Sequence, residues 1–203
     1  FMPETDMKII LDDHFADGRQ GKKVFGGLMD RIVKTSQKWN EIEFFDYFLD
    51  EELVIGNALL TAEAALAIAV NENPKGLNEC EVLITGFGRI GKMLCMIFKS
   101  FNSRVYCAAR KKKDFAGIRA LGCIPIEYKD IKKGFDIIAN TVQFPVIKSD
   151  ILENQTMDTV YIELASLPGG IDKSLAKDCQ IKYLNAQSLP GRVSPKSSGE
   201  LIK

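Results

Sequence analysis

Three glycines with the spacing G-x-G-x-x-G occur at Gly86, Gly88 and Gly91. They follow the apolar segment 82–85 and open a segment with helical periodicity, which is the context that this pattern requires. The first glycine permits a tight turn, the second lets the backbone approach a pyrophosphate, and the third lets helix and strand pack closely. The helix N-terminus supplies oriented N–H groups to the anion. We therefore predict a dinucleotide-binding loop; the alternative is a glycine turn without a ligand. The predicted cofactor-binding residues of this loop are Gly86, Gly88, Arg89, Ile90 and Gly91.

The charge at the end of the next predicted strand bears on which dinucleotide binds. NAD-binding domains carry an acidic residue there, which accepts hydrogen bonds from the ribose hydroxyls. The strand predicted at 104–109 is instead followed by Arg110 and by three lysines at 111–113. An arginine in this place favours a 2′-phosphate by charge pairing and can stack on adenine. We predict NADP rather than NAD, with Arg110 as a ligand; the lysines have the alternative interpretation of a solvated charge run.

Two further strand ends carry residues that are expected to border the cofactor. Asn140 and Thr141 end one apolar strand, and Ala165 and Ser166 follow another, ahead of a loop of small residues. Loops at the carboxyl edge of a parallel sheet surround the ligand in such folds. We predict contacts from these four residues to the cofactor, and the alternative at both places is a plain turn.

Strands and helices alternate through most of the chain. The apolar pattern predicts helices at 91–101 and 114–121, and strands at 81–85, 104–109, 124–125, 135–139, 159–163 and 181–184. This alternation is typical of a parallel sheet with helices on both faces. We predict an α/β fold with a doubly wound parallel sheet of the Rossmann-like kind, together with part of a second α/β domain at the N-terminus.

The first 76 residues show a less regular pattern. Strands are predicted at 8–11, 22–27 and 53–55, and helices at 28–38 and 61–70, before the helix breakers at 73–76. We therefore predict three parts: the C-terminal part of an N-terminal α/β domain at 1–56, an interdomain crossover helix at 57–73, and an NAD(P)-binding Rossmann domain at 74–203. The unusual start at Phe1 suggests a fragment.

Composition excludes several classes of function. Basic and acidic side chains number 27 each, so nothing indicates a surface for nucleic acid. Five cysteines without a C-x-x-C pair argue against a disulfide framework or a metal site and fit a reducing cytoplasm. The apolar stretches are shorter than a bilayer requires, so no membrane association is expected. No catalytic acid or base can be assigned, since the only histidine, His14, is expected in a surface loop.

Four motifs resemble the A subunit family of dipicolinate synthase, the enzyme that makes dipicolinic acid in spore-forming bacteria. They are the glycine loop, Ala109-Arg110, and two longer segments, Glu-Leu-Ala-Ser-Leu-Pro-Gly-Gly at 163–170 and Leu-Pro-Gly-Arg-Val-Ser-Pro-Lys at 189–196. The two longer segments are specific, and the resemblance spans roughly 44–203. The departure is Glu163, where the family usually has aspartate.

The resemblance implies an NAD(P)-dependent oxidoreductase that works with a flavoprotein-like B subunit in the cytoplasm of the mother cell. Its reaction would be oxidation of a dihydrodipicolinate-type precursor to dipicolinate. A substrate with two carboxylates needs cations, and Arg192 and Lys196 are the candidates in the Leu-Pro-Gly segment. The alternative for both is a solvent-exposed charge.

A more distant resemblance concerns Asn57 and Thr61, which are similar to residues at the start of the crossover helix in D-2-hydroxyacid dehydrogenases. It implies that both residues bind substrate beside the nicotinamide. The arginine, acid and histidine set of those enzymes is not recognisable, however. Two alternatives to a synthase component remain: a non-catalytic nucleotide-binding scaffold, and a stand-alone NADP-dependent 2-hydroxyacid dehydrogenase-like enzyme. The sequence leaves open whether copies of the chain form a homo-oligomer.

Overall fold

A computed structural model of the chain describes residues 11–27, 29–171 and 173–202. These residues divide into two compact units. The first contains the described residues up to Gly56 together with those from Gly199 onward, and the second contains Asn57 to Ser198. All candidate site residues predicted from the sequence lie in the second unit.

The first unit contains a two-stranded parallel sheet and short helices. Its elements are α1 (Asp13–Asp17), β1 (Val24–Gly26), α2 (Met29–Val33) and β2 (Phe44–Asp46), with 3-10 turns at Gln37–Glu41 and Tyr47–Leu49. They pack around Trp39, which is 1% exposed. The predicted helix at 28–38 is shorter than expected because the Ser36 hydroxyl accepts a hydrogen bond from the Lys38 N–H and begins a separate turn. The strand predicted at 8–11 lies almost wholly outside the described residues.

One long helix, α3, runs from Glu51 to Glu72. The strand predicted at 53–55 is therefore wrong. Asp50 explains the difference, because its carboxylate accepts hydrogen bonds from the N–H groups of Glu52 and Leu53 and caps a helix at this point. Alanines at four positions of this helix are buried at helical spacing: Ala58, Ala62, Ala65 and Ala69.

The length and composition of α3 would by themselves suffice to cross a membrane. Its most apolar part is 39% buried within the structure. Such a helix is weak evidence for a membrane span, because the core helix of a soluble protein has the same length and composition. The sequence pattern underestimates the length of this apolar helix, since helical periodicity is predicted at 61–70 and the crossover helix at 57–73.

The second unit is built on a six-stranded, wholly parallel sheet in the order β5-β4-β3-β6-β7-β8. The strands are β3 (Glu81–Thr85), β4 (Arg104–Ala108), β5 (Ile124–Ile126), β6 (Ile137–Asn140), β7 (Val160–Glu163) and β8 (Lys182–Asn185). From β3 the chain adds β4 and β5 on one side of the sheet. It then crosses back and adds β6, β7 and β8 on the other side. This is the strand order of a doubly wound Rossmann-like fold, and the predicted fold class is confirmed.

Helices cover both faces of the sheet. They are α3, whose alanines join the core on one face, together with α4 (Arg89–Ser100), α5 (Lys112–Ala120), α6 (Ser149–Leu152) and α7 (Lys173–Asp178). Two short helices, α8 (Leu189–Val193) and α9 (Pro195–Glu200), follow β8. Alternate residues of β3 point to opposite faces: Val82 and Ile84 join one core, and Leu83 joins the other. The central strands are therefore apolar throughout, and their polar residues occur only where the strands end.

Candidate functional site

The glycine loop between β3 and α4 leaves no room for side chains at two of its glycines. Gly86 has a φ of +92°, and a Cβ there would lie 2.6 Å from the Thr141 Oγ1. A Cβ on Gly91 would lie 2.1 Å from the Gly86 carbonyl oxygen. The Gly86 N–H also donates to the Ala108 carbonyl at 2.9 Å, which ties the loop to β4. The loop is thus held in one tight conformation by backbone contacts.

Gly88 differs from the other two glycines because it faces open space. Among the residues that the structure describes, none places an atom within 4 Å of the position that its Cβ would take. Gly88 is also the N-cap residue of α4, and no side chain in the described part of the chain caps this helix. The first N–H groups of a helix have no partner within the helix itself, and helix N-termini of this kind bind anions. A dinucleotide pyrophosphate fits this arrangement.

Four polar residues occupy equivalent positions at the carboxyl edge of neighbouring strands. Thr85 on β3 is in register with Asn140 on β6, which is in register with Glu163 on β7 and then with Asn185 on β8. The glycine loop begins at the same level, where the strand order reverses between β3 and β6. Ligands of open α/β sheets bind at such a reversal. The fold therefore brings the predicted loop, Asn140 and Thr141 together.

Asn140 is fully buried and all of its side-chain hydrogen-bonding groups are used. Its Oδ1 accepts from the Thr85 hydroxyl at 2.5 Å and from the Val142 N–H at 3.2 Å. Its Nδ2 donates to Glu163 at 2.6 Å and to the Val142 carbonyl at 2.9 Å. A side-chain contact from Asn140 to a cofactor would break one of these bonds. The residue thus ties three strand ends together, and its predicted cofactor contact stays a prediction.

Glu163 was missed as a site residue, although it is the centre of this network. It is 1% exposed, and each carboxylate oxygen faces two donors. Oε1 accepts from Asn140 Nδ2 at 2.6 Å and from the Ala165 N–H at 3.0 Å. Oε2 accepts from the Gly170 N–H at 2.8 Å and from the Tyr161 hydroxyl at 3.3 Å. Burial, and then the nearby Glu163 charge, raise the pKa of Tyr161, so its hydroxyl remains a donor.

The glycine pair that follows is required by this network. A Cβ on Gly169 would lie 2.9 Å from the Glu163 Oε2, and a Cβ on Gly170 would lie 2.3 Å from the side-chain amide of Asn140. The sequence pattern suggests that small residues here make room for a ligand. In the structure the room is taken by protein side chains. A buried acid at a strand end, followed closely by two glycines, is the signal that could have identified the network.

The other predicted residues at this edge differ in exposure. Thr141 is half-buried, and its hydroxyl donates to the Thr85 carbonyl at 2.7 Å. Ala165 is buried, and its carbonyl accepts from the Gln187 Nε2 at 2.7 Å. Ser166 and Leu167 are exposed, and Leu167 is 70% exposed. Of the two residues predicted to contact the cofactor in the 163–170 segment, Ser166 is the one whose side chain is accessible to a ligand.

Arg110 is exposed and lies two residues beyond the end of β4. Tyr128 approaches the same place from the loop after β5, and no sequence pattern indicated it. Burial raises the pKa of Tyr128 to about 12, against the opposing influence of Arg110 and of the Gly86 backbone. A neutral phenol and a guanidinium thus stand where an NAD-binding domain has a carboxylate.

The substrate-binding candidates are more scattered. Thr61 is buried on α3, and its hydroxyl donates to the Asn57 carbonyl at 2.7 Å, so it is used within the helix. Arg192 on α8 and Lys196 on α9 are both exposed. Within the described ranges, no ion pair connects either cation to the carboxyl edge of the sheet. The roles predicted for these residues in substrate binding stay predictions.

Comparison with known proteins supports one family resemblance. The chain is 26% identical over 197 residues to the A subunit of dipicolinate synthase from Bacillus subtilis (strain 168), which covers 96% of this chain and 66% of the relative. The chain is similar to the A subunits of dipicolinate synthases. The fold is also similar to the crystal structure of the Bacillus subtilis A subunit. That comparison has a TM-score of 0.82 and 27% identity, and it covers 94% of this chain and 65% of that one.

The chain thus spans about two thirds of the length of these dipicolinate synthase relatives. No protein-family model matches it. A transhydrogenase from Sinorhizobium meliloti has a TM-score of 0.71 at 15% identity, covering 93% of this chain and 68% of that one. At that identity the likeness concerns the fold alone, and it agrees with the Rossmann-like sheet.

Proposed function

We propose that this chain binds NADP at the glycine loop and serves as the oxidoreductase component of a dipicolinate synthase. The observation that supports this best is the open space above Gly88, at the uncapped N-terminus of α4 and at the reversal of strand order. An anion-binding helix end at that point of a doubly wound sheet is suited to a dinucleotide pyrophosphate. Similarity to the A subunit of dipicolinate synthase supports the choice of reaction.

The residues that would hold the cofactor follow the strand order. The backbone of Gly86, Gly88, Arg89, Ile90 and Gly91 would hold the pyrophosphate, Arg110 the 2′-phosphate, and Thr141, Ala165 and Ser166 the nicotinamide end. The bound nicotinamide would supply a hydride acceptor, so that a dihydrodipicolinate-type precursor loses a hydride and a proton and becomes aromatic dipicolinate. Arg192 and Lys196 would pair with the two substrate carboxylates.

The same proposal includes the setting of the chain. It would act with a flavoprotein-like B subunit in the cytoplasm of the mother cell of a sporulating bacterium. The relative's name identifies it as one subunit of an assembly, which supports a partner of this kind.

A nucleotide-binding scaffold without chemistry is the second candidate. The burial of the ionisable side chains at the carboxyl edge favours it. Glu163 and Tyr161 are buried and hydrogen-bonded to each other, and Glu163 also accepts a hydrogen bond from the Gly170 N–H. Neither is placed to exchange a proton with a substrate in this arrangement. Incubation of the chain with NADP⁺ and a dihydrodipicolinate precursor distinguishes the two functions, because only the enzyme generates NADPH fluorescence.

Replacement of Arg110 with aspartate tests the cofactor assignment. We expect wild-type protein to bind NADPH more tightly than NADH, because a 2′-phosphate gains a charge-assisted contact with the guanidinium. Arg110→Asp should weaken NADPH binding by about 100-fold and leave NADH binding within about threefold. Calorimetric titration of each cofactor measures both values.

Lys112→Asp is the matched control, since Lys112 is exposed in the first turn of α5 and belongs to the same charge run. It should change NADPH affinity much less than Arg110→Asp. Equal affinity of the wild-type protein for NADPH and NADH would contradict the NADP assignment. If the wild-type protein binds neither NADPH nor NADH, the proposed function is wrong.

A further inference from the structure

The charge of Glu163 is not cancelled by a cation. Its four hydrogen-bond partners are two backbone N–H groups, one amide and one hydroxyl, all of them neutral donors. Each carboxyl oxygen lies within hydrogen-bonding distance of two donors, an arrangement that matches the acceptor capacity of a carboxylate. None of the ion pairs formed by described residues involves Glu163. A buried negative charge therefore remains at the carboxyl edge of β7.

Acidic residues at the opposite, amino edge of the same sheet form ion pairs with cations. Glu81, at the start of β3, forms ion pairs with Lys133 and Arg104. Asp136, immediately before β6, forms an ion pair with Lys75 at 2.6 Å. The described part of the sheet thus has acids paired with cations at its amino edge and an acid without a cation at its carboxyl edge.

The position of Glu163 relative to the following loop is fixed by its hydrogen bonds. It accepts from the N–H of Ala165 and from the N–H of Gly170, so it holds both ends of the loop. Under the proposed function this loop, through Ala165 and Ser166, holds the nicotinamide end of the cofactor. Water is excluded from around Glu163, so its field is screened less than that of a surface charge.

We propose that the negative charge of Glu163 makes the site prefer the oxidised cofactor. The ratio of Kd for NADP⁺ to Kd for NADPH is then lower than it would be with a neutral residue at this position. The oxidised nicotinamide ring carries a positive charge, which is lost when the ring accepts a hydride. A fixed negative charge nearby therefore stabilises the bound oxidised ring, whereas the neutral reduced ring gains no such stabilisation. Glu163 does not touch the cofactor in this proposal and acts only at a distance. The inference rests on the proposed function, and it adds a residue that makes the site prefer the oxidised cofactor over the reduced one.

The test compares dissociation constants for NADP⁺ and NADPH in wild type, Glu163→Gln and Glu163→Asp. Loss of the charge should raise the ratio of Kd for NADP⁺ to Kd for NADPH by about tenfold in Glu163→Gln. Glu163→Asp keeps the charge and should leave the ratio within about twofold of wild type. Purely structural damage would change both constants together and leave the ratio unaltered.

Glu163→Gln replaces one acceptor oxygen with an amide that faces donors, so this variant is expected to be less stable. Gln187→Lys gives a second route. Gln187 donates to the Ala165 carbonyl at 2.7 Å, and a lysine there adds a positive charge beside the loop without removing Glu163. It should raise the ratio in the same direction, and Gln187→Leu, which adds no charge, should not.

The outcomes separate the two proposals. Wild-type protein that binds neither NADP⁺ nor NADPH overturns the proposed function. Wild-type protein that binds both, with an unchanged ratio in folded Glu163→Gln, overturns the role of Glu163 alone. Should Glu163→Gln fail to fold, an unchanged ratio in Gln187→Lys overturns it.

Discussion

Replacement of Gly91 with alanine is expected to abolish NADPH binding and to destabilise the second unit by about 3 kcal/mol or more. The added methyl group would lie 2.1 Å from the Gly86 carbonyl oxygen. That contact is with backbone, so it cannot be relieved by rotating a side chain. Either the helix moves away from β3 or the loop opens, and both changes displace the N–H groups of α4. Urea unfolding and fluorescence titration with NADPH measure the two effects.

Gly88→Ala is the control for that prediction. A Cβ on Gly88 meets no atom of the described residues within 4 Å, and the backbone of Gly88 is extended with a φ of −79°. The free energy of unfolding should therefore change by less than about 0.5 kcal/mol. NADPH binding should still weaken, because the methyl group enters the space in which we place the pyrophosphate. A Gly88→Ala protein with wild-type affinity would show that this space is not where the cofactor binds.

Asn140→Ala is expected to destabilise the protein by about 3 to 5 kcal/mol. The change removes a donor to the buried Glu163 carboxylate and an acceptor for the buried Thr85 hydroxyl. It also removes both bonds that hold the Val142 backbone. A buried polar group that loses its partner has no water to replace it, so the loss exceeds that of a single exposed hydrogen bond. Chemical denaturation monitored by circular dichroism gives the value.

Asn185→Ala provides the matched comparison, because both asparagines are the last residues of strands in the same sheet. Asn185 is exposed, and its Oδ1 accepts a long hydrogen bond, at 3.4 Å from the Gln187 N–H. Its replacement should cost less than about 0.5 kcal/mol. Equal destabilisation by the two substitutions would mean that burial and the Glu163 network contribute nothing beyond the sheet position.

Local patterns were sufficient to predict the sheet and the glycine loop. The strand before Gly86 is an apolar run, and the close approach of Gly91 to the Gly86 carbonyl is a contact within the loop itself. The same kind of evidence failed at 53–55, where an apolar triplet next to Gly56 resembles a short strand. The Asp50 carboxylate caps a helix here by accepting two hydrogen bonds from the following backbone. An apolar pattern alone does not predict such a cap.

The network at the carboxyl edge could not be predicted in the same way. Thr85 and Asn140 are 55 residues apart in the chain, and Asn140 and Glu163 are 23 apart. They meet because β6 pairs with β3 and β7 pairs with β6, which is a property of strand order. Tyr128 follows β5 and meets the backbone of Gly86 because β5 pairs with β4 and β4 pairs with β3. Each strand end was recognised separately, but the contacts between them depend on the tertiary fold.

The packing of Gly169 and Gly170 against Glu163 and Asn140 affects how related sequences should be interpreted. Because a side chain at either glycine would collide with this network, we expect a descendant that had lost its cofactor to retain the pair. Gly88 has no such constraint and would drift once binding ceased to matter. In a set of homologues, divergence at Gly88 beside an intact 163–170 segment would therefore mark pseudoenzymes, whereas the segment by itself would mark only shared architecture.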